Sequence, residues 1–539
     1  MRSNGLGREA EAARLASIQA ALKAEGLGAA AGLAQVALAD GIDHPMLLSL
    51  LAAHREAEGR FDEALALLRR AAALAPDAVH VRNGIGLYLA RAGRFEEAIA
   101  EYDRALAVDP LYARALANRG AALAAVSRLR EAGLDFEAAA AADPGNPTAA
   151  NGLAWLALRR GEPGTACRLA RQVLERRPGF PGAALVLAEA DIAEGRPQDA
   201  QAELARLAGD DRIGPLDRAS AFGLLGDALD AQQRFAEAFA AWQRSGDLLG
   251  QHYRADHGSR PASDALVRAL TARLEGRQID RPRGDSRAAR THVFLLGFPR
   301  SGTTLIEQML EEHPDIETMA EKECLVDAAR DWMGDPDRFS AWLEAPDDVL
   351  QPYREAYWRR VAEEGAGGDS RVFVDKHPFN TFRLPLIARL FPDAKILFAR
   401  RDPRDVVLSC FRHRFRMSDP VYQMLTLDGA ARLYDAAMAM AEASATAFRL
   451  DRHVISLEAM IADFEGETRR ICGCLGVSWT AALGDFAGNV AGRAVATPSG
   501  AQLVHGLNAR GVGKWRDYDL QMAPVLPLLT AWVDRFGYR

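Results

Sequence analysis

Cysteine is scarce in this chain. Five residues in 539, at Cys167, Cys324, Cys410, Cys472 and Cys474, are too few and too scattered for a disulfide framework. Only Cys472 and Cys474 stand close, as C-x-C within ICGCLG, and no partner ligands flank them, so buried structural thiols are expected there and no metal site. Long apolar runs are missing too: none approaches the ~20 residues needed to span a bilayer. The opening stretch MRSNGLGREAEAARLASIQA lacks the apolar centre of a signal peptide. The expectation is a soluble, cytoplasmic chain with no membrane association. Positive charge is not in excess either. A net charge of −7 excludes a general attraction to nucleic acid or to an anionic surface, and leaves room only for a local basic pocket.

Apolar residues make up 49% of the chain, enough for real cores, and the length calls for more than one domain. The first half repeats. Prolines recur every 34 residues at Pro76, Pro110, Pro144 and Pro178, and alanines keep the same period at Ala64, Ala98, Ala132, Ala166 and Ala200. Turn signals recur in phase: Gly59-Arg60-Phe61, Gly93-Arg94-Phe95, Ser127-Arg128-Leu129, Gly161-Glu162-Pro163 and Gly195-Arg196-Pro197. Alanine at a fixed position lets two helices approach closely, and proline ends the second because it cannot continue it. The pattern resembles tetratricopeptide repeats, most clearly in RNGIGLYLARAGRFEEAIAEYDRALAVDP, Arg82 to Pro110. About five repeats are expected from Asp43 to Leu207, with a capping helix pair before them. A less regular pair spans Ala219 to Leu249, with Gln233-Arg234-Phe235 in the turn. Residues 1–250 are thus expected to form an α-solenoid, a right-handed superhelix with a concave groove. It serves either to bind a peptide or protein or as a scaffold that packs on the second domain. Residues 251–290, rich in Arg, Asp, Ser and Gly with a helical patch at Asp264–Leu274, read as the connection between domains.

From Thr291 the pattern changes to strands alternating with helices. Val293–Leu296, Arg371–Val374, Ala394–Ala399 and His453–Leu457 are each followed by a helical stretch. Such alternation predicts a central parallel sheet covered on both faces, with ligands at the carboxyl ends of the strands. Residues 291–539 are therefore expected to be a P-loop-like α/β domain. After the first strand, Gly297, Gly302 and Thr304 fit the spacing G-x-x-x-x-G-x-[ST] of a loop that cradles an anion on backbone N–H groups and a helix N-terminus. The lysine that follows the second glycine in a nucleotide triphosphatase is Thr303 here, and Arg300 supplies a cation within the loop. The second strand ends in Asp375-Lys376-His377, the third in Arg400-Arg401-Asp402-Pro403-Arg404-Asp405, with Ser409 on the next helix.

FPRSGTTL followed at this distance by RRDPRDVVLS resembles the sulfotransferase family, in particular the tyrosylprotein sulfotransferases and bacterial proteins that join tetratricopeptide repeats to such a domain. The resemblance implies a sulfuryl donor, 3′-phosphoadenosine-5′-phosphosulfate, and no metal. It implies that Pro299, Arg300, Ser301, Gly302, Thr303 and Thr304 hold the 5′-phosphosulfate, and that Arg401 and Ser409 hold the 3′-phosphate. Lys376 falls where a cation meets the leaving oxygen, and Glu321, twenty-one residues past Arg300, where the catalytic glutamate stands. Ser499 and Lys514 fall in the closing segment that touches the nucleotide phosphates. The sequence departs from the family at Leu457-Glu458, where tyrosine-glutamate is usual.

The chemistry suits these residues. A transferring SO₃ group carries less negative charge than a γ-phosphate, so arginine, lysine and backbone N–H groups can stabilise the leaving phosphate without a metal. The acceptor hydroxyl must lose a proton to a base within hydrogen-bond reach. Glu321 is the first candidate and His377 the rival. Two other classes stay open: a small-molecule kinase on the same loop, for which Asp375 would have to bind Mg²⁺, and a non-catalytic repeat adaptor. A peptide or protein acceptor is the expected partner. The oligomeric state is not legible.

Overall fold

The computed structural model describes residues 3–281, 291–486 and 506–538. Chain contacts divide it into two units, residues 1–157 with 165–183, and residues 158–164 with 184–539.

The first unit is a succession of antiparallel helix pairs. Pro45–Ala57 pairs with Phe61–Leu74, Val79–Arg91 with Phe95–Val108, and Ala113–Ala125 with Leu129–Ala142. The periodic alanines do what their size allows: Ala64, Ala98 and Ala132 are fully buried where the helices cross. Close approach is sharpest at Gly86, where a Cβ would come within 2.5 Å of the Tyr102 ring. The recurrent turns share one device. Gly59, Gly93 and Ser127 take positive φ of 75°, 73° and 65°. The next residue, Arg60, Arg94 or Arg128, then donates its N–H to a carbonyl five residues back. This left-handed closure satisfies the last carbonyls of the first helix and reverses the chain.

The second unit starts with more helices, among them Pro197–Gly209 and the hairpin Pro215–Ala231 and Phe235–His252, whose turn at Gln233 (φ 62°) repeats the same device. Within Gln251–Arg290, Ser263–Ala272 is helical, and Val267, Leu270 and Leu274 are buried in the core.

Five strands form one sheet among the described residues: β1 (Thr291–Leu296), β2 (Ile316–Ala320), β3 (Val372–Lys376), β4 (Lys395–Arg400) and β5 (Arg452–Ser456). Their order is β2-β3-β1-β4-β5 and every pairing is parallel. Four were expected; β2, IETMA, was not, because its short mixed pattern buries only Ile316 and Met319. Alternation along the strands builds two cores. Phe294, Leu296, Phe373, Ile396 and Phe398 face one side, with Leu229 and Trp242 of the hairpin and Tyr434 in the same cluster. Val293, Leu295, Val372, Val374, Leu397 and Ile455 face the other, with Ile306, Met309 and Leu310 of the helix Thr303–Glu311. The chain leaves β1 towards β2 on one side and β4 towards β5 on the other, which opens a crevice at the carboxyl ends of β1 and β4. No helix among the described residues is long and apolar enough to cross a membrane.

Candidate active site

The loop after β1 is shaped by two glycines. At Gly297 (φ 154°) a Cβ would stand 2.7 Å from the carbonyl oxygen of Ala399, so β1 and β4 approach too closely for a side chain. Thr381 ties this point down: its hydroxyl accepts from Gly297 N–H (3.0 Å) and donates to Gly297 O (2.5 Å). Gly302 caps the helix Thr303–Glu311 in the left-handed conformation (φ 97°) with no side chain over the helix end. The first intrahelical bond runs from Ile306 N–H to Gly302 O, so the N–H groups of Thr303, Thr304 and Leu305 have no acceptor within the helix. A helix end of this kind is suited to an anion. Ser301, Thr303 and Thr304 are buried around it, and Pro299 O accepts from Cys410 Sγ.

Arg300 also adopts positive φ (70°), an uncommon state for a residue with a side chain. Its Nε donates to Ser409 Oγ at 3.0 Å. Burial, with Arg401 beside it, lowers the guanidinium to about 10, still charged at neutral pH. Arg401, at the end of β4, donates to Arg300 O (3.3 Å) and to Gly511 O, and stands 4.0 Å from Asp405. Its buried Nε has no hydrogen-bond partner among the described residues. Asp405 accepts from the N–H groups of Gly513 (2.6 Å) and Trp515 (2.9 Å), and burial raises its carboxyl. Asp402 caps the helix Pro403–Arg412 and pairs with Arg404 at 2.7 Å, so within the arginine cluster Arg404 is structural.

These groups converge on a cavity of about 550 Å³ lined by Arg300, Gly302, Arg401, Ser409, Leu457 and Lys514. Ile192, Ala193 and Asp230 also line it, and none of the three was singled out from the sequence. Asp230, on the helix Pro215–Ala231, accepts from Lys514 Nζ (2.9 Å), Tyr518 OH (2.5 Å) and Arg412 (3.3 Å). Every donor-site candidate from the sequence lies after Thr291, yet this wall of the cavity comes from a helix well before it. Nothing in the sequence pattern marks Asp230, because its role arises only where the hairpin meets the C-terminal segment. Lys514 is held by Asp230 and Asp517. Leu457 sits near Gly302, 3.4 Å from where a Cβ there would stand, and offers an apolar wall at the position of the family's tyrosine. Ser499 lies outside the described residues.

Lys376 and Glu321 form a second group, which is not among the residues that line the cavity. Glu321 follows β2 with positive φ (50°), its N–H donating to Lys376 O at 2.7 Å, so it extends the β2–β3 ladder and is not a helix residue. Lys376 is fully buried, with Nζ 2.8 Å from Glu321 Oε1 and 3.1 Å from Glu307 Oε2. Burial alone would lower it, but the two carboxylates outweigh burial and hold the ammonium above its ordinary range. Burial pushes Glu307 up, and the pull of Lys376 offsets this only in part, so its carboxyl stays above the ordinary range. Glu307 was missed in the sequence. The available signal was a carboxylate among the apolar residues Leu305, Ile306, Met309 and Leu310 of the helix TTLIEQML.

Asp375 points to the opposite face of β3 from Lys376, as strand alternation requires. It is fully buried, accepts from Tyr357 OH (2.9 Å), and burial raises it to about 6. It does not line the cavity. His377 Nε2 stands 3.2 Å from Glu323, which also pairs with Arg383 at 2.5 Å. Although burial works the other way, these partners hold Glu323 down to about 2. Glu323, though half-exposed, is therefore bound in an ion-pair cluster, and the rival base His377 is engaged with it.

Residues 292–481 match the sulfotransferase family, and residues 49–113, 83–147 and 157–212 match tetratricopeptide repeats. An uncharacterized protein of Aquifex aeolicus is 24% identical over 322 residues, 58% of this chain and 41% of its own length. Protein-tyrosine sulfotransferase 1 of Mus musculus is 34% identical over 122 residues, 22% of this chain and 33% of its own. Protein-tyrosine sulfotransferase of Drosophila melanogaster is 24% identical over 260 residues, 44% of this chain and 50% of its own. The chain thus spans half or less of the length of these relatives. A solved tetratricopeptide repeat protein from Parabacteroides merdae is similar to 44% of this chain and 93% of its own, at 17% identity and a TM-score of 0.35.

Proposed function

Because this chain joins tetratricopeptide repeats to a sulfotransferase-family domain, we propose that it moves a sulfuryl group from 3′-phosphoadenosine-5′-phosphosulfate to an acceptor hydroxyl. The acceptor we assign is the phenol of a tyrosine in a peptide or protein. The observation that carries the reading is the convergence of Arg300, Arg401 and Ser409 on one cavity at an uncapped helix N-terminus whose loop has no lysine. The residues fit the donor. The N–H groups of Thr303 to Leu305, which have no acceptor within the helix, and the Arg300 guanidinium suit a 5′-phosphosulfate. Arg401, whose buried Nε has no partner among the described residues, and Ser409 suit the 3′-phosphate. Leu457 gives the adenine an apolar wall, and Lys514 and Ser499 are assigned to the nucleotide phosphates.

The donor supplies the sulfuryl group on a phosphate leaving group. In the transfer, the bond from sulfur to the bridging oxygen breaks with its electron pair going to that oxygen, and a bond from sulfur to the acceptor oxygen forms. Glu321 takes the acceptor proton. A phenol with a pKa near ~10 keeps that proton until attack is under way, so the base acts during transfer. Lys376, kept charged by its carboxylates, and Arg300 offset the charge growing on the leaving oxygen. Cytoplasmic placement and a role for the repeats in holding the acceptor belong to this proposal.

The test is turnover with radiolabelled donor on tyrosine peptides, together with thermal stabilisation by 3′,5′-diphosphoadenosine without metal. Labelled peptide, lost in Glu321→Gln, is the expected result. Stabilisation by ATP only with Mg²⁺, with none by 3′,5′-diphosphoadenosine, would overturn it in favour of a kinase.

A further inference from the structure

Past its first turn, where Thr303 and Thr304 are buried at the loop, the helix Thr303–Glu311 is apolar on its buried side except at one carboxylate. Leu305, Ile306, Met309 and Leu310 are buried, and so is Glu307, at 4% exposure. Alternation along β3 explains why a carboxylate stands there. Lys376 shares a face with Val372 and Val374, the face this helix covers, so the end of the strand delivers an ammonium against the helix. A buried ammonium needs a partner, and Glu307 is one at 3.1 Å.

Lys376 nevertheless has two carboxylates, and they differ. Glu307 is in a helix interior with a side chain 5% exposed, while Glu321 is at a strand end with its side chain 40% exposed and its backbone in the left-handed region. One partner is fixed by packing and the other reaches solvent. If Glu321 alone held Lys376, turning Glu321 towards an acceptor would strand a buried charge, which is costly. With Glu307 in place that penalty disappears.

We propose that Glu307 is a positioning residue for sulfuryl transfer: the fixed half of a two-carboxylate clamp on Lys376, whose replaceable half is Glu321. It keeps the ammonium in place while Glu321 turns from Lys376 to the acceptor hydroxyl. This rests on the reading of Glu321 as the base.

The test compares full-length wild type, Glu307→Gln, Glu307→Asp and Glu321→Gln on phenols graded from p-nitrophenol, which needs little help in losing its proton, to a tyrosine peptide, which needs much. In Glu307→Gln, kcat should fall roughly 10- to 100-fold on the tyrosine peptide and far less on p-nitrophenol, with the donor KM and melting temperature close to wild type. Glu307→Asp keeps the charge with a shorter reach, and should fall between the two with the same dependence on phenol acidity. It also serves if Glu307→Gln does not fold. An equal fall on all phenols would make Glu307 merely structural and overturn the proposal, as would wild-type kcat on the tyrosine peptide in either Glu307 variant. Glu321→Gln separates the premises. If its losses do not depend on phenol acidity, the base assignment itself fails. If they do while those of the Glu307 variants do not, only the clamp fails.

Discussion

A fragment beginning at Asp285 should fail to fold, although every donor residue legible in the sequence lies after it. The helices it deletes contribute Leu229, Trp242, Val267, Leu270 and Leu274, each at most 7% exposed, to the core cluster that holds Phe294, Leu296 and Phe298 of the first strand and its loop. Burying each such side chain is worth about 1.5–3 kcal/mol, so the five together contribute roughly 8–15 kcal/mol. That equals the whole stability of an ordinary domain, about 5–15 kcal/mol. The deletion also removes Asp230, the carboxylate that holds Lys514, Tyr518 and Arg412 at the cavity. A fragment beginning at Pro181 keeps the hairpin, the helix Ser263–Ala272 and the Ile192 and Ala193 wall. Circular dichroism melts of both fragments, with and without 3′,5′-diphosphoadenosine, give the answer. The longer fragment should melt cooperatively and gain stability from the ligand. The shorter one should show no cooperative transition and should bind a hydrophobic dye. A cooperative, ligand-stabilised melt of the Asp285 fragment would refute the reasoning and would make the hairpin an accessory to the sheet.

Arg401→Ala should weaken 3′,5′-diphosphoadenosine about 10- to 100-fold more than adenosine 5′-phosphosulfate, since a charge-assisted bond to the 3′-phosphate is worth about 1.5–3 kcal/mol. Equal losses by calorimetry would instead make Arg401 an anchor for Gly511 and the loop. Turnover should survive EDTA; loss on chelation with recovery on adding Mg²⁺ would return the kinase reading. Asp375 gives a pH signature. Its folded-state carboxyl is raised to about 6 from a usual value near ~3.9, so the folded chain binds the extra proton, and stability from this group is full at low pH and declines as pH rises through 6. Asp375→Asn should therefore melt higher than wild type at pH 8, by the equivalent of about 1–3 kcal/mol, with the gap closing towards pH 4. A gap that is constant or widens on acidification would remove the buried charge as its cause.

The sequence by itself determined whatever depends on spacing along the chain. The 34-residue period placed the turns at Gly59, Gly93 and Ser127, because one left-handed residue per repeat is a local backbone requirement. The pattern around Gly297 and Gly302 placed the tight loop between β1 and the helix Thr303–Glu311, because a tight turn onto a helix end is also local. The pair Arg401 and Ser409 came from the resemblance of RRDPRDVVLS to the sulfotransferase family, with Arg401 just before the helix Pro403–Arg412 and Ser409 within it. Tertiary structure alone decided what depends on which face meets which. It added β2, whose few apolar residues carry weak periodicity until β3 pairs with it. It set Lys376 against Glu307 and Asp375 against Tyr357, since alternation sends neighbouring side chains to opposite cores and sequence does not say what waits there. It brought Ile192, Ala193 and Asp230 to a cavity whose other lining residues come from Arg300 onward, because a contact such as Asp230 with Lys514 joins residues 284 positions apart, which no local pattern links.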